Sequence, residues 1–222
     1  MSTPLTLDYA SKPPEYFDGA RADIVARLPD NPAAAIIEIG CGNGSTGAIA
    51  KARGKCARYV GIDVDAKAAA EAEKALDLVV LGNVEQLDLE TLGGPFHAAI
   101  LSEVLEHLVD PWAVLERLHA VMHPGAVIFA SSPNVANIRL IRQLLRNRFD
   151  YTPAGVMDRT HLRWFTTATY REMFEGAGFE TVSVGPLAAP SAKWRLMDAV
   201  TGGAFAHLAS SQIMYCGQKP PR

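Results

Sequence analysis

Ile36-Ile-Glu-Ile-Gly-Cys-Gly-Asn-Gly-Ser-Thr-Gly47 carries an aliphatic run into a turn of glycine and small polar residues, with a helical pattern after it. A strand that feeds a glycine turn and then a helix lets a ligand approach the backbone without obstruction by Cβ atoms. Read literally, Gly42-Asn-Gly44-Ser-Thr-Gly47 is GxGxxG, and Asp63 follows at the end of the next aliphatic run. An NAD-binding Rossmann oxidoreductase is therefore one reading. Glu38 points to another. A carboxylate inside the strand, two residues before Gly40, would repel a pyrophosphate but suits a ligand that carries an ammonium.

Short β-branched or aliphatic runs alternate with helical patterns around this turn: Ala33 to Ile39, Tyr59 to Asp63, Leu78 to Leu81, Ala98 to Ser102 and Val127 to Ala130. Between them lie Thr46 to Arg53, Ala66 to Leu76 and Pro111 to Met122. The last is opened by Asp110 as N-cap, with Pro111 at the first helical position, and closed by His-Pro-Gly at 123 to 125. The alternation predicts an α/β fold on a buried, mostly parallel sheet. A leading helix over Pro14 to Leu28 places Phe17, Ile24 and Leu28 on one side, within an N-terminal helical cap at residues 1–30. After the fifth strand, residues 134–166 have no α/β counterpart. They read as a helical, substrate-side insertion over the carboxyl edge of the sheet, where open α/β sheets bind ligands. A helix over Thr167 to Gly176 and strands over Glu180 to Val184 and Gln212 to Cys216 complete one expected domain, 1–222.

With 222 residues, 49% of them hydrophobic and 20% charged, the chain is long enough for one sizeable core. Its 14 Pro and 18 Gly are spread out, without repeat or low-complexity tract, which argues against collagen-like, solenoid and disordered classes. The longest apolar runs, such as Gly125 to Ala130, fall far short of the roughly 20 residues that a membrane-spanning helix needs. The start, Met-Ser-Thr-Pro-Leu-Thr-Leu-Asp, has no basic segment followed by an apolar one, and Cys41, Cys56 and Cys216 lack CxxC spacing. A cytoplasmic chain with reduced thiols is the expectation. A formal charge of -3 removes the global electrostatic reason to expect a nucleic-acid coat protein.

Glu38-x-Gly40-x-Gly42-x-Gly44, followed by Asp63 in Tyr-Val-Gly-Ile-Asp and by Leu81-Gly-Asn-Val-Glu-Gln-Leu, resembles the ordered motifs of the class I S-adenosylmethionine (SAM) methyltransferases. The likeness covers nearly the whole chain. It implies a seven-stranded Rossmann-like sheet in the order 3-2-1-4-5-7-6, with strand 7 antiparallel, and SAM as cofactor. By the same resemblance Glu38, Gly40, Gly42 and Gly44 hold the methionine part, Asp63 accepts the ribose hydroxyls and Asn83 stands in the segment that contacts adenine. Val64, Val84 and Ser102 join the expected cofactor contacts, and Arg21 on the leading helix is the candidate for the methionine carboxylate. The family commonly has Asp where Asn83 stands, and Gly-Gly where Gly125-Ala126 stands. A scaffold that binds SAM without turnover is the rival reading from another class.

Glu103-Val-Leu-Glu106-His107 follows directly on the fourth strand, and in a helical turn Glu103, Glu106 and His107 fall at i, i+3 and i+4 on one face. Two carboxylates and an imidazole pointing together suit Mg²⁺ or Mn²⁺. His161, in Asp158-Arg-Thr-His161-Leu-Arg-Trp-Phe165, adds a donor from the insertion. The set resembles two metal-using O-methyltransferase families, those of ubiquinone biosynthesis and those that methylate the 3′-terminal 2′-hydroxyl of small RNAs. Catechol and terminal ribose both offer neighbouring hydroxyls, which a metal can chelate while lowering the pKa of the one methylated. The same segment also resembles that of many methyltransferases without metal, in which His107 or His161 is a general base or only packs. Glu103, Glu106, His107 and His161 are thus the candidate metal ligands, and His107 and His161 the candidate catalytic residues.

From Asn137 to Arg163, Arg139, Arg142, Arg146, Arg148, Arg159 and Arg163 stand against only Asp150 and Asp158. A helix over Val135 to Asn147 sets Arg139, Arg142 and Arg146 on one stripe and Ile138, Ile141 and Leu145 on an apolar stripe that would dock on the core. Its basic face fits a solvated surface, an anionic acceptor, or transient contact of residues 135–148 with a membrane surface. RNA fits less well, because Phe149, Tyr151, Trp164 and Phe165 offer few stacking positions. The run from Arg148 to Thr166 resembles a segment of bacterial methyltransferases associated with cell-surface polysaccharides. That likeness implies O-methylation of a hydroxyl on a small molecule or on a sugar or glycan precursor. A later helix around Trp194 to Leu208, apolar at Trp194, Met197, Phe205 and Leu208, is expected to cap the acceptor or to form a subunit contact.

Overall fold

A computed structural model describes residues 19–189 and 191–221. Phe17 and the rest of the expected cap before residue 19 lie outside the described residues. The strands are β1 (Ala35–Ile39), β2 (Arg58–Asp63), β3 (Leu78–Leu81), β4 (Phe96–Ser102), β5 (Met122–Pro133), β6 (Glu180–Pro186) and β7 (Gln212–Gln218). Among the described residues they form one seven-stranded sheet in the order β3-β2-β1-β4-β5-β7-β6. Strand β7 runs antiparallel to both β5 and β6, as expected for this topology. Two compact units divide the chain, Met1–Asp88 and Leu89–Arg222.

In the first unit β1 pairs in parallel with β2, and β2 with β3. Ile36, Ile37 and Ile39 are all buried, so β1 lacks the in-out alternation of a half-exposed strand and reads as one covered on both faces. Helices α1 (Ala22–Arg27), α2 (Ser45–Ala52) and α3 (Ala66–Ala72) accompany these strands. The leading helix is shorter than its pattern suggested: it buries Ile24 and Val25, and the chain is already extended at Leu28. Helix α3 starts where the Asp65 side chain accepts the Ala68 amide at 2.8 Å, a capping arrangement that satisfies one of the donors a helix start leaves over.

The second unit holds α4 (Pro111–Ala120), α5 (Ile138–Leu144), α6 (Thr167–Gly176) and α7 (Ala192–Thr201). Asp110 caps α4, accepting from the Ala113 amide at 3.1 Å with Pro111 behind it, as its sequence predicts. His-Pro-Gly does not end the segment before β5 but lies inside that strand. Met122 pairs with Phe96, and the register then shifts so that Val127 pairs with Ala98, with Gly125 at a φ of 79° in the extra length.

Residues 134–165 form an excursion whose ends are closed by a bridge between Asn134 and Phe165 and by the Val135 amide donating to the Phe165 carbonyl at 3.0 Å. Helix α5 starts later than expected because Asn137 caps it, its side chain accepting from the amides of Arg139 and Leu140. Its buried residue is Leu140; Ile138 and Ile141 are half-buried and Leu145 is 83% exposed, so the end of the stripe at Leu145 does not pack on the core. Trp194 to Leu208 is not one helix either. Gly202 and Gly203, both at positive φ, end α7, and a 3-10 turn follows over Ala206–Leu208. No helix of the described residues is long and apolar enough to cross a membrane.

Gly47 lies on α2 against the sheet. A Cβ there would stand 2.4 Å from Leu76 Cδ2 and 2.7 Å from Tyr59 Cδ1. Alanine gains about 1 kcal/mol of helix propensity over glycine, while overpacking a closed core costs about 1–3 kcal/mol. The clash wins because neither neighbour has room to retreat: Tyr59 is fully buried and Leu76 nearly so. Gly47→Ala is therefore expected to lower the urea midpoint without changing the denaturant slope, and an unchanged or raised midpoint contradicts the packing.

Candidate active site

The glycine turn after β1 is shaped by positive φ at Gly40 (73°), Gly42 (52°) and Gly44 (80°), where a side chain would strain the backbone. It is pinned to the end of β2. The Gly40 and Cys41 amides donate to the Ile62 carbonyl at 2.8 and 3.1 Å, and the Gly42 amide donates to Asp63 Oδ2 at 2.7 Å. Asp63 Oδ1 accepts from the Asp65 amide at 2.9 Å. The residue expected to receive ribose hydroxyls thus already orders the turn, with both carboxylate oxygens engaged by backbone amides. Burial raises its pKa, while the amides of Asp65 and Gly42 work in the other direction.

Glu38 is 2% exposed. Tyr59 Oη donates to its Oε2 at 2.8 Å, and Thr46 also bonds to it. The Thr46 hydroxyl in turn accepts the Arg21 amide at 3.2 Å. Burial pushes the Glu38 carboxyl up to about 8; Tyr59 and Thr46 offset only part of that. The Arg21 guanidinium, expected to meet a carboxylate of the ligand, makes a two-bond pair with Asp23 at 2.9 Å. Asn83 accepts the Glu85 amide at 2.9 Å and so folds its own turn, Val84 is buried, and Val64 is 48% exposed.

In the second unit Ser102 ends β4 opposite Ser131. The helical turn expected over Glu103 to His107 does not form. Glu103 takes a left-handed φ of 56°, and a 3-10 turn begins only at Leu105. Glu103 Oε2 accepts from Gln212 Nε2 at 3.1 Å, and the Glu103 charge bears on Glu106. Glu106, His107 and His161 do converge, each offering a ligand atom within 4.8 Å of the others, and all three are buried. The two imidazoles meet edge to face at 4.8 Å between centroids.

The two rings are held by the insertion. His107 Nδ1 lies 3.2 Å from the Thr160 carbonyl and His161 Nδ1 3.1 Å from the Val156 carbonyl. A carbonyl only accepts, so in the neutral ring Nδ1 carries the proton and Nε2 the lone pair. The Leu162 and Arg163 amides both donate to the Glu106 carbonyl, at 2.8 and 3.0 Å. Ser132 Oγ donates to Glu106 Oε2 at 3.1 Å, while Glu106 Oε1 is buried without a hydrogen-bond partner among the described residues. Burial, and next the Glu103 charge, push the Glu106 carboxyl well above the usual range; Asp158 adds to this.

Ser132, Gln212 and Asp158 were not singled out by the sequence. The first two come from β5 and β7 and carry no local signal. Asp158 had one: Asp-x-Thr is a spacing at which the carboxylate can turn back on its own chain. Its Oδ1 accepts from the Thr160 amide and hydroxyl, both at 2.9 Å, and so aims the segment that bears His161.

The Glu38 environment has a measurable consequence. Below the ordinary carboxylate range the folded and unfolded chains both hold this proton. Between that range and about 8 only the fold holds it, so stability falls as pH rises, and above about 8 the loss is complete. Glu38→Gln keeps an acceptor for Tyr59 and removes the titration. Relative to this variant, the wild-type melting temperature is expected to drop by at least about 5 °C between pH 5 and pH 8; parallel pH profiles contradict the assignment.

A methyltransferase-domain profile matches residues 15–184. A trans-aconitate 2-methyltransferase of Deinococcus radiodurans is 30% identical over 183 residues, which are 77% of this chain and 69% of that one. A ubiquinone biosynthesis O-methyltransferase of Xanthomonas campestris pv. campestris is 30% identical over 136 residues, 57% of this chain and 54% of the relative. Apart from the Deinococcus protein, the chain spans about half the length of such curated relatives. Among solved structures, a SAM-dependent methyltransferase from Archaeoglobus fulgidus superposes with a TM-score of 0.63 over 92% of this chain and 97% of that one, at 19% identity. With the profile spanning most of the sequence and the sheet order in agreement, the chain belongs to the methyltransferase-domain family, the SAM-dependent methyltransferases of class I fold.

Proposed function

We propose that this protein transfers the methyl group of SAM to a hydroxyl oxygen of a small-molecule acceptor, a sugar or glycan precursor being the favoured class. The convergence of Glu106, His107 and His161 carries this reading. SAM supplies an electrophilic methyl but no base, and an alcohol is mostly protonated near neutral pH. The protein must therefore take the proton or stabilise the oxyanion. Ubiquinone biosynthesis O-methyltransferases are among the relatives and support an oxygen acceptor.

On this reading the first unit holds the cofactor. Glu38 ionises on meeting the methionine ammonium, which replaces the solvation that burial denies it, and Asp63 accepts the ribose hydroxyls with the lone pairs the turn leaves. Asn83 and Val84 flank the adenine, and Gly40, Gly42 and Gly44 let the backbone approach.

The donor set of the second unit fits Mg²⁺ or Mn²⁺. One carboxylate and two imidazoles present atoms within 4.8 Å, Glu106 Oε1 has no other partner, and a cation would favour the ionised form of a carboxyl that burial disfavours. A bound cation would lower the pKa of the acceptor hydroxyl. The Thr160 and Val156 carbonyls engage Nδ1 of the two rings, so Nε2 would be the ligating nitrogen of each, and Ser132 orients the carboxylate. Glu103, whose Oε2 accepts from Gln212, would add its charge to the set. Without metal, the same Nε2 of His107 or His161 is the general base.

Activity is expected to disappear with EDTA and to return with Mg²⁺ or Mn²⁺. Glu106→Gln and His161→Ala should each lower kcat by at least about 100-fold while SAM affinity is kept. Activity indifferent to EDTA, with a rate that falls below one histidine pKa, assigns the metal-free base. Full turnover in a Glu106→Ala, His107→Ala double variant overturns both.

A further inference from the structure

The C-terminal end of α5 and the residues that follow it expose apolar side chains beside arginines. Leu140 anchors the helix, and Leu145 lies about 140° around from it at 100° per residue. Leu145 is 83% exposed, Leu144 47%, Phe149 44% and Tyr151 50%. Arg139, Arg142, Arg146 and Arg148 are exposed in the same stretch, and no acidic residue lies between 135 and 149; Asp150 bonds to Arg148. Both ends of the helix are built. Asn137 caps the start; at the other end Asn147, at a φ of 57°, donates to the Leu144 carbonyl at 2.9 Å and the Arg148 amide reaches the Gln143 carbonyl at 3.0 Å. Leu145 is thus held outward on ordered backbone.

We propose that this tip of the insertion, residues 138–151, docks on an anionic lipid surface. Leu144, Leu145, Phe149 and Tyr151 enter the headgroup boundary, and Arg139, Arg142 and Arg146 meet the lipid phosphates. Arginines beside exposed leucine and aromatic side chains have the composition of helices that lie in the plane of a membrane interface. Charge complementarity selects an anionic bilayer over a neutral one. Lipid is favoured over RNA because the most exposed apolar group, Leu145, offers no face for a base to stack on, and the rings of Phe149, Tyr151 and Trp164 already pack against one another. A second element points the same way. Helix α7 buries none of its residues and exposes Leu196 (68%) and Val200 (78%) at i and i+4. Asn134, at the root of the insertion, donates to the His207 and Ser210 carbonyls at 2.7 and 2.9 Å, which ties the segment after α7 to the same root. The proposal is independent of methyl transfer.

Flotation of the full chain with vesicles of phosphatidylcholine, and of phosphatidylcholine mixed with phosphatidylglycerol, tests it. The protein is expected to float with the mixed vesicles only and to be released by high salt. Arg142→Glu with Arg146→Glu should weaken apparent affinity at least about tenfold, and Leu145→Asp severalfold. Neither should change the melting temperature appreciably, because the side chains are exposed. Flotation equal on both vesicles, none on either, indifference to both substitutions, or displacement of the vesicles by a single-stranded RNA oligonucleotide overturns the proposal.

Discussion

The hold of the β2 end on the glycine turn is the constraint on which the first unit depends. Three amides, those of Gly40, Cys41 and Gly42, close onto the Ile62 carbonyl and the Asp63 carboxylate. Left unpaired, the amides of the buried Cys41 and Gly42 would each cost about 1–3 kcal/mol. The bonds require the left-handed backbone at Gly40, Gly42 and Gly44, and that backbone starts α2 at Ser45. Only because α2 starts there does Thr46 reach Glu38, and only because Gly47 has no side chain can the helix lie against Tyr59, the other partner of Glu38. One turn thereby sets both the opening for a ligand and the polarity beneath it.

The second unit solves a like problem with charge. Glu106, beside Glu103 and Asp158, is a buried acid among acids. Removing an ion from water costs several kcal/mol unless it is paired. The structure limits the cost with fixed dipoles: Ser132 on Glu106, Gln212 on Glu103, and the Thr160 amide and hydroxyl on Asp158. No comparable arrangement is needed for packing alone, since apolar residues of the same size would be cheaper there. Groups kept so at odds with burial are a recurring mark of functional sites.

Much of the fold was legible because it rests on local chemistry. The aliphatic runs of β1 to β4, the Asp110-Pro111 start of α4 and the spacing from Glu38 to Gly44 each state their role within a few residues. What misled depended on partners far along the chain. His-Pro-Gly looks like a stop, yet Lys219 and Phe96 pair the backbone around it into β5. Periodicity gave α5 a correct amphipathic pattern but not its direction, because Leu140 and the Asn137 cap, rather than the stripe of Ile138, Ile141 and Leu145, decide which face turns inward. Helical spacing does not describe the segment from Glu103, because that residue sits at positive φ and the 3-10 turn starts only at Leu105. His161 was nominated from resemblance; its meeting with Glu106 and His107 is a tertiary fact.

On the proposed function, the turn from Gly40 to Gly44, with Glu38 and Asp63, receives an adenosyl amino acid rather than a dinucleotide. Isothermal titration of the full chain with S-adenosylhomocysteine and, separately, with NAD⁺ tests this most directly. Saturable one-to-one binding of S-adenosylhomocysteine and no binding heat with NAD⁺ are expected. Tight NAD⁺ binding with no response to S-adenosylhomocysteine would contradict that reading.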